Sequence, residues 1–250
     1  MVQYNPLQYL PTAEELPDSD DTPVDNELQI LIPILLRAIL VLSRIDRMDW
    51  FLGINMGVYY DPNQPAIVPD SFLSLGVERF KQSGKLRLSY VLWQENNIVP
   101  LWVLEIVSKT PGGEYDEKVA KYAQIGVLYY VIYNPDYCTR DKHDSFEVYR
   151  LVNGAYVRQG SQPVWMPEVG LGIGYEQGSH EGDTREWLYW YNQQGDRLRA
   201  PDNVIEQERQ RAEQERQRAE RFQQQLEQER RLREELLNRL RERGINLDEL

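Results

Sequence analysis

The sequence predicts an α/β protein that ends in a long charged helix, and three features indicate this. Residues 101–107, LWVLEIV, are apolar apart from one glutamate, which is typical of a central strand covered on both faces. Residues 114–125 carry apolar side chains at helical spacing and stop before Gly126, a natural helix terminator. Residues 206–240 repeat in heptads that begin with two identical copies of EQERQRA.

The N-terminal segments are predicted to be an arm and a core helix. Residues 1–24 are polar, acidic and interrupted by prolines, so we expect a mobile arm. A helix is expected to begin after Asp25, the candidate N-cap, and to reach Leu42 or Ile45. Its apolar stretch has Arg37 near the middle, which favours a buried helix over a membrane span.

Strands dominate the centre of the chain. In the predicted hairpin, Asn153 and Gly154 supply the positive φ angles of a type I′ turn. Further strand material follows the hairpin up to about residue 198. We therefore predict one domain over 25–200 and a charged helix over 201–250. Besides 101–107, the predicted strand segments are 50–60, 66–77, 89–93, 127–133 and the hairpin 146–160.

The composition limits the function. The net charge of 28 − 40 = −12 argues against strong nonspecific attraction to nucleic acid but leaves room for a local basic groove. Cys138 alone builds neither an intramolecular disulfide nor a cysteine cluster, and His143 and His180 are too few for a histidine site. A bound metal would therefore need oxygen ligands, which points to Mg²⁺ or Mn²⁺. The lone cysteine and the lack of a signal-peptide pattern predict a cytoplasmic protein without membrane attachment.

The glutamate inside the apolar run is the first candidate site residue. A buried charge costs roughly several kcal/mol unless it is paired, so Glu105 has either a structural ion-pair partner or a metal. Asp70 follows Pro69 in an earlier strand segment, and the two carboxylates would converge if the strands pair. Two close carboxylates repel, and a divalent cation relieves this repulsion. Lys109 shares the strand face of Glu105, about 7 Å along, where it could stabilise developing negative charge.

Pro69-Asp70, Glu105 and a following lysine resemble the PD-(D/E)XK nuclease superfamily. More specifically, residues 103–135 closely resemble the Uma-type restriction endonuclease family, and the glutamate- and arginine-rich C-terminal helix is also common there. The resemblance covers roughly residues 25–245. It implies a restriction-endonuclease-like mixed sheet flanked by helices, a metal bound by Asp70 and Glu105, and DNA as substrate.

The lysine of the motif is displaced. The simple motif has lysine two residues after the glutamate, where this chain has Val107. The resemblance implies that a helix lysine replaces it, and Lys118 matches that position. Relative to the apolar helix face, Lys118 lies about 70° to one side and Lys121 about 130° away. We therefore rank Lys118 first, Lys109 second and Lys121 third. Glu27, early in the first helix, resembles a further acidic metal ligand of the superfamily.

Two functions follow from these residues. The first is an Mg²⁺-dependent endonuclease, in which the C-terminal charged helix brings two copies of the chain together as a homodimer. The second is a catalytically inactive nuclease-fold scaffold that assembles through its C-terminal helix. A coiled coil needs two apolar core positions in each heptad, and here one of the two carries several glutamates. A solvated single helix therefore agrees with the pattern as well as a coiled coil does. A third function, phosphoryl chemistry on another substrate, also remains open.

Overall fold

The computed structural model describes residues 10–17, 25–81 and 84–243, and it divides the chain into two compact units after Ala200. The α-helices are α1 (Leu28–Ser43), α2 (Glu117–Ile125), α3 (Cys138–Asp141) and α4 (Pro201–Glu242). The strands are β1 (Trp50–Ile54), β2 (Val58–Tyr59), β3 (Ser71–Leu75), β4 (Tyr90–Val91), β5 (Trp102–Ile106), β6 (Tyr129–Tyr133), β7 (Phe146–Val152), β8 (Ala155–Arg158), β9 (Val164–Met166), β10 (Leu171–His180) and β11 (Asp183–Tyr191).

A mixed sheet organises the first unit. Its strands lie in the order β1-β3-β5-β6-β7-β8. The β5–β6 pair is parallel, whereas the other neighbours are antiparallel. Every residue of β5 is buried, as the apolar run predicted. Gly126 ends α2 in the left-handed conformation at φ 94°, and Asn153 and Gly154 turn the β7–β8 hairpin at φ 50° and 82°. The predicted mixed α/β fold is confirmed.

The two faces of this sheet bury different clusters. One face packs on α1 and on the second sheet, β11-β10-β9, where the rings of Trp102 and Trp190 lie 4.9 Å apart. On the other face, the side chains of Phe72, Val103 and Tyr130 in the sheet pack with Tyr122 of α2. Side chains of β5 alternate between these clusters, so Glu105 projects toward the α2 face between Val103 and Val107.

Several predicted boundaries differ from the structure. The N-cap of α1 is Glu27, not Asp25. Asp25 is engaged elsewhere, because its carboxylate accepts a hydrogen bond from Ser108 Oγ at 2.6 Å. In segment 66–77 the strand begins only after Pro69-Asp70, since proline cannot donate to a ladder. In segment 89–93 only Tyr90–Val91 is a strand, and a 3₁₀ helix, Leu92–Gln94, follows it.

The described part of the expected mobile arm is fastened to the first unit. Trp93 Nε1 donates to the carbonyl of Pro11 at 2.8 Å, and the Tyr59 hydroxyl donates to the carbonyl of Pro17 at 2.7 Å. Residues 10–17 therefore do not behave as a free arm. The remainder of that prediction, residues 1–9 and 18–24, lies outside the described residues.

The second unit is described through α4, whose side chains are mostly exposed. Local ion pairs line it, such as Arg216 with Glu213 at 2.9 Å and Arg239 with Glu235 at 2.6 Å. Such pairs support a solvated helix by a few tenths of a kcal/mol each, roughly. The last part of the predicted helix, residues 244–250, lies outside the described residues. No helix in the three described ranges is both long and apolar enough to cross a membrane.

Candidate active site

Strand pairing brings the two predicted carboxylates together. β3 and β5 pair, with Ser71 opposite Leu104 and Phe72 opposite Val103, which meets the condition under which the two carboxylates converge. One further step in this antiparallel register sets Asp70 against Glu105. The Asp70 carboxylate accepts a hydrogen bond from the Ile106 amide at 2.6 Å, which fixes it at the end of β5. Asp70 is 7% exposed and Glu105 is 1% exposed, so both charges lie within the protein.

Helix α2 supplies the partners of Glu105. Lys118 Nζ lies 2.7 Å from one carboxylate oxygen, and the Tyr122 hydroxyl donates to the other at 2.5 Å. The two side chains are four residues apart, so they extend from the same face of the helix. Both oxygens of Glu105 are thereby oriented by one short helix that crosses the end of the strand.

The charges of this group do not balance. Burial first, and then the Glu105 charge, raise the pKa of Asp70 well above its usual range. Burial likewise raises the pKa of Glu105, although Lys118 and Tyr122 oppose the shift. Burial alone would lower the pKa of Lys118, but attraction to Glu105, Asp70 and Glu114 outweighs it, and the pKa rises. One firmly protonated ammonium therefore faces two carboxylates, and their ionised forms repel each other.

The donor atoms fit a hard divalent cation. The strand register sets Asp70 opposite Glu105, and the Asp70 carboxylate is held at the backbone of Ile106. Each carboxylate offers about four lone-pair positions, more than their observed hydrogen bonds occupy. Over the described ranges no three histidine, cysteine or acidic side chains group closely enough to hold a metal. Mg²⁺ is nevertheless usually held by one or two carboxylates, with water and substrate phosphate completing its shell.

Three other predicted residues lie apart from this pair. Lys109 is exposed, and within the described part of the chain its ammonium contacts neither carboxylate. Lys121 lies 5.3 Å over the ring of Tyr60 instead. Glu27 is exposed at the start of α1 and, among described residues, makes no contact with Asp70 or Glu105. The structure therefore brings together Asp70, Glu105 and Lys118 but not Lys109, Lys121 or Glu27.

Two residues of the site were not singled out from the sequence. Gln29 lies where the acidic residue of the first helix was expected: its side chain interacts with the Asp70 carboxylate, and its amide donates to the Ile106 carbonyl at 3.3 Å. Tyr122 was expected only as part of the apolar helix face. Its position four residues after Lys118 is the signal that could have revealed it, whereas Gln29 depends on how α1 docks.

Comparisons with known proteins place the chain in a family. A family model described as "Uma2: Putative restriction endonuclease" matches residues 12–177. The crystal structure of "a putative nuclease belonging to DUF820" from Anabaena variabilis ATCC 29413 is 14% identical, with 62% of this chain and 88% of that chain covered at a TM-score of 0.43. A search of curated proteins finds no match. Because the family model spans well over half of the sequence, this chain belongs to the Uma2 family.

Proposed function

We propose that the protein is a divalent-metal-dependent endonuclease that hydrolyses DNA phosphodiester bonds. The observation that carries the proposal is the buried group of Asp70, Glu105 and Lys118, in which two carboxylates share one ammonium. Membership of a family described as restriction endonucleases supports a nuclease. The ion pair of Lys118 with Glu105 leaves the carboxyl group of Asp70 beside it without an ion pair to any described residue, and a divalent cation would neutralise that group.

Asp70 and Glu105 would hold Mg²⁺ or Mn²⁺ in this site. Such an ion, when bound, polarises a phosphoryl oxygen and acidifies a water molecule. The Lys118 ammonium, 2.7 Å from Glu105, is placed to stabilise negative charge as it develops on the phosphate and to orient the attacking water. Tyr122 keeps Glu105 in one orientation, and the Ile106 amide does the same for Asp70.

The test is cleavage of supercoiled plasmid with Mg²⁺ or Mn²⁺, comparing the wild type with Glu105→Ala and with an EDTA control. We expect nicking by the wild type that is lost in Glu105→Ala and in EDTA. Lack of nicking across metals and salt concentrations, together with no Glu105-dependent metal binding by calorimetry, would refute the enzyme and leave the scaffold.

Assembly through α4 is the second part of the proposal. Phe222 and Leu226 lie one helical turn apart and are 62% and 41% exposed, and Leu232 and Leu236 repeat this spacing at 65% and 59%. We infer that these side chains pair two copies of the chain, which suits cutting both strands of a duplex and also suits a scaffold. Sedimentation should show a dimer for the wild type and a monomer for Phe222→Glu/Leu226→Glu. Gln224→Glu is the control on the same helix. A wild type that sediments as a monomer would exclude this pairing.

A further inference from the structure

A basic cavity lies along β1, the edge strand of the large sheet. Its volume is about 200 Å³, and its walls come from α1, from β1 and from residues 79–81 and 85–87. No acidic residue is among its described lining residues. In a chain of net charge −12 such a concentration of positive charge is unusual and needs a physical account. The basic lining residues are Arg37, Arg79, Lys81, Lys85 and Arg87.

Two of these cations pair with a buried carboxylate, whereas Arg37 and Arg79 do not. Arg87 and Lys81 pair with the buried carboxylate of Glu95. Arg37 and Arg79 form no ion pair with any described residue. Arg79 stacks over Trp50 at 3.5 Å, which fixes its guanidinium at the cavity wall. After burial, the charge of Arg37 is what lowers the pKa of Arg79, so the two guanidinium groups are close enough to repel. An anion between them would relieve that repulsion.

One end of the cavity lies next to the chain segment that carries Asp70. Its lining residue Ile54 pairs with Ser71, the residue directly after Asp70. The next amide, that of Asn55, donates to the Asp70 carbonyl at 3.1 Å. Along α1, Arg37 lies eight residues after Gln29, or about 12 Å at 1.5 Å per residue. A nucleic-acid strand that occupies the carboxylate site therefore reaches the arginine pair within a few nucleotides.

We propose that this cavity is a docking site for the phosphates of the DNA strand whose scissile bond lies at Asp70 and Glu105. Arg37 and Arg79 contact the phosphates, since guanidinium groups bind phosphate oxygens in a bidentate manner. Phe80, which is 62% exposed beside Arg79, offers an aromatic face to a base. The inference rests on the proposed function, because it names the surface by which that site would hold its substrate.

The test measures binding in EDTA, so that it does not depend on catalysis. A fluorescein-labelled DNA duplex is titrated with the full chain at several salt concentrations. We expect Arg37→Gln and Arg79→Gln each to weaken binding about tenfold and to reduce the slope of log K against log salt by about one. Arg185→Gln, the same charge change on β11 away from the cavity, is the control and should match the wild type.

The outcomes separate this inference from the nuclease proposal. Arg37 is exposed and makes no hydrogen bond to a described residue, so Arg37→Gln should fold. It therefore keeps the test valid even if Arg79→Gln, which loses the contact with Trp50, folds poorly. Unchanged affinity and salt slope in Arg37→Gln, or no duplex binding by the wild type, would overturn the docking site. Arg37-dependent binding without plasmid cleavage would support docking and count against catalysis. Plasmid cleavage by Arg37→Gln with an unchanged KM would support catalysis and count against the docking site.

Discussion

Two buried glutamates of the first unit differ in how their charge is balanced. Glu95 is 5% exposed and meets two cations: Arg87 donates to both of its oxygens, at 2.9 and 3.1 Å, and Lys81 pairs with one of them. Glu105 is 1% exposed and meets one cation, Lys118, which it shares with Asp70. Both glutamates lie next to apolar segments of the sequence. The surroundings of Glu95 are positively charged, whereas Glu105 has a second carboxyl group beside its one cation.

The difference separates a structural carboxylate from a candidate ligand. A buried carboxylate between two cations gains attraction that offsets its lost hydration, and Glu95, the C-cap of the 3₁₀ helix, thereby connects this helix to Arg87 and Lys81. Two buried carboxyl groups beside one ammonium repel each other when both are ionised, and they gain less from folding. Such an arrangement favours binding of a cation to the folded protein. The local charge count, and not burial itself, therefore distinguishes the two glutamates.

The largest expected effect comes from applying one substitution to both glutamates. Glu95→Gln should lower the free energy of unfolding by about 3 kcal/mol, because it leaves Arg87 and Lys81 without their buried anion. Glu105→Gln should change it by less than about 1 kcal/mol, because Asp70 remains to pair with Lys118. Urea unfolding in EDTA measures both values. Equal losses in the two variants would show that Glu105 is an ordinary structural ion-pair partner.

The next effect concerns the two leading lysines. Lys118→Met should reduce plasmid cleavage about 100-fold, because the ammonium beside Glu105 is lost. Lys109→Met removes an exposed ammonium and should leave the rate within about twofold. Initial nicking rates at saturating Mg²⁺ compare the two. The opposite order would assign the role to the strand lysine.

The smallest effect is a pH-dependent gain in stability. The pKa of Asp70 is raised in the folded protein, so its contribution to stability is complete below the unfolded value near pH 4 and falls as pH rises through the folded value. Asp70→Asn should therefore be more stable than the wild type by about 1 kcal/mol at pH 8 in EDTA, and by less at pH 5.

A second aspartate provides the matched control for this change. The hydrogen bond from Arg47 lowers the pKa of Asp49, so its contribution to stability is complete above the unfolded value near pH 4, and Asp49→Asn should be slightly less stable than the wild type by the same amount at pH 5 and at pH 8. Urea unfolding at the two pH values measures all three proteins. A stability difference between Asp70→Asn and the wild type that shrinks toward pH 8 would contradict the raised pKa of Asp70, which burial and then the Glu105 charge produce.

Local sequence signals were sufficient for much of the fold. The apolar run around Glu105, the glycine stop at Gly126 and the Asn153-Gly154 turn each act within a few residues, and the structure has each of them. Such features need no knowledge of how distant elements dock.

The parts that were missed depend on docking. Glu27 and Gln29 are two residues apart, about 200° around the helix, so only the rotation of α1 decides which of them meets Asp70. The arm was expected to be mobile from composition alone, whereas the hydrogen bonds of Trp93 and Tyr59 fasten its described part. The basic cavity joins α1, β1 and a loop, and no single stretch of sequence encodes it.

The placement of Lys118 on α2 has a consequence for regulation by temperature. This helix has nine residues and buries one of its side chains, Tyr122, so its opening costs less than unfolding of the sheet. When α2 frays, Glu105 loses its lysine and its tyrosine together, while β5 stays fully buried. Heating should then separate Lys118 and Tyr122 from Glu105 before the first unit unfolds. Hydrogen exchange at the α2 amides would detect that earlier transition.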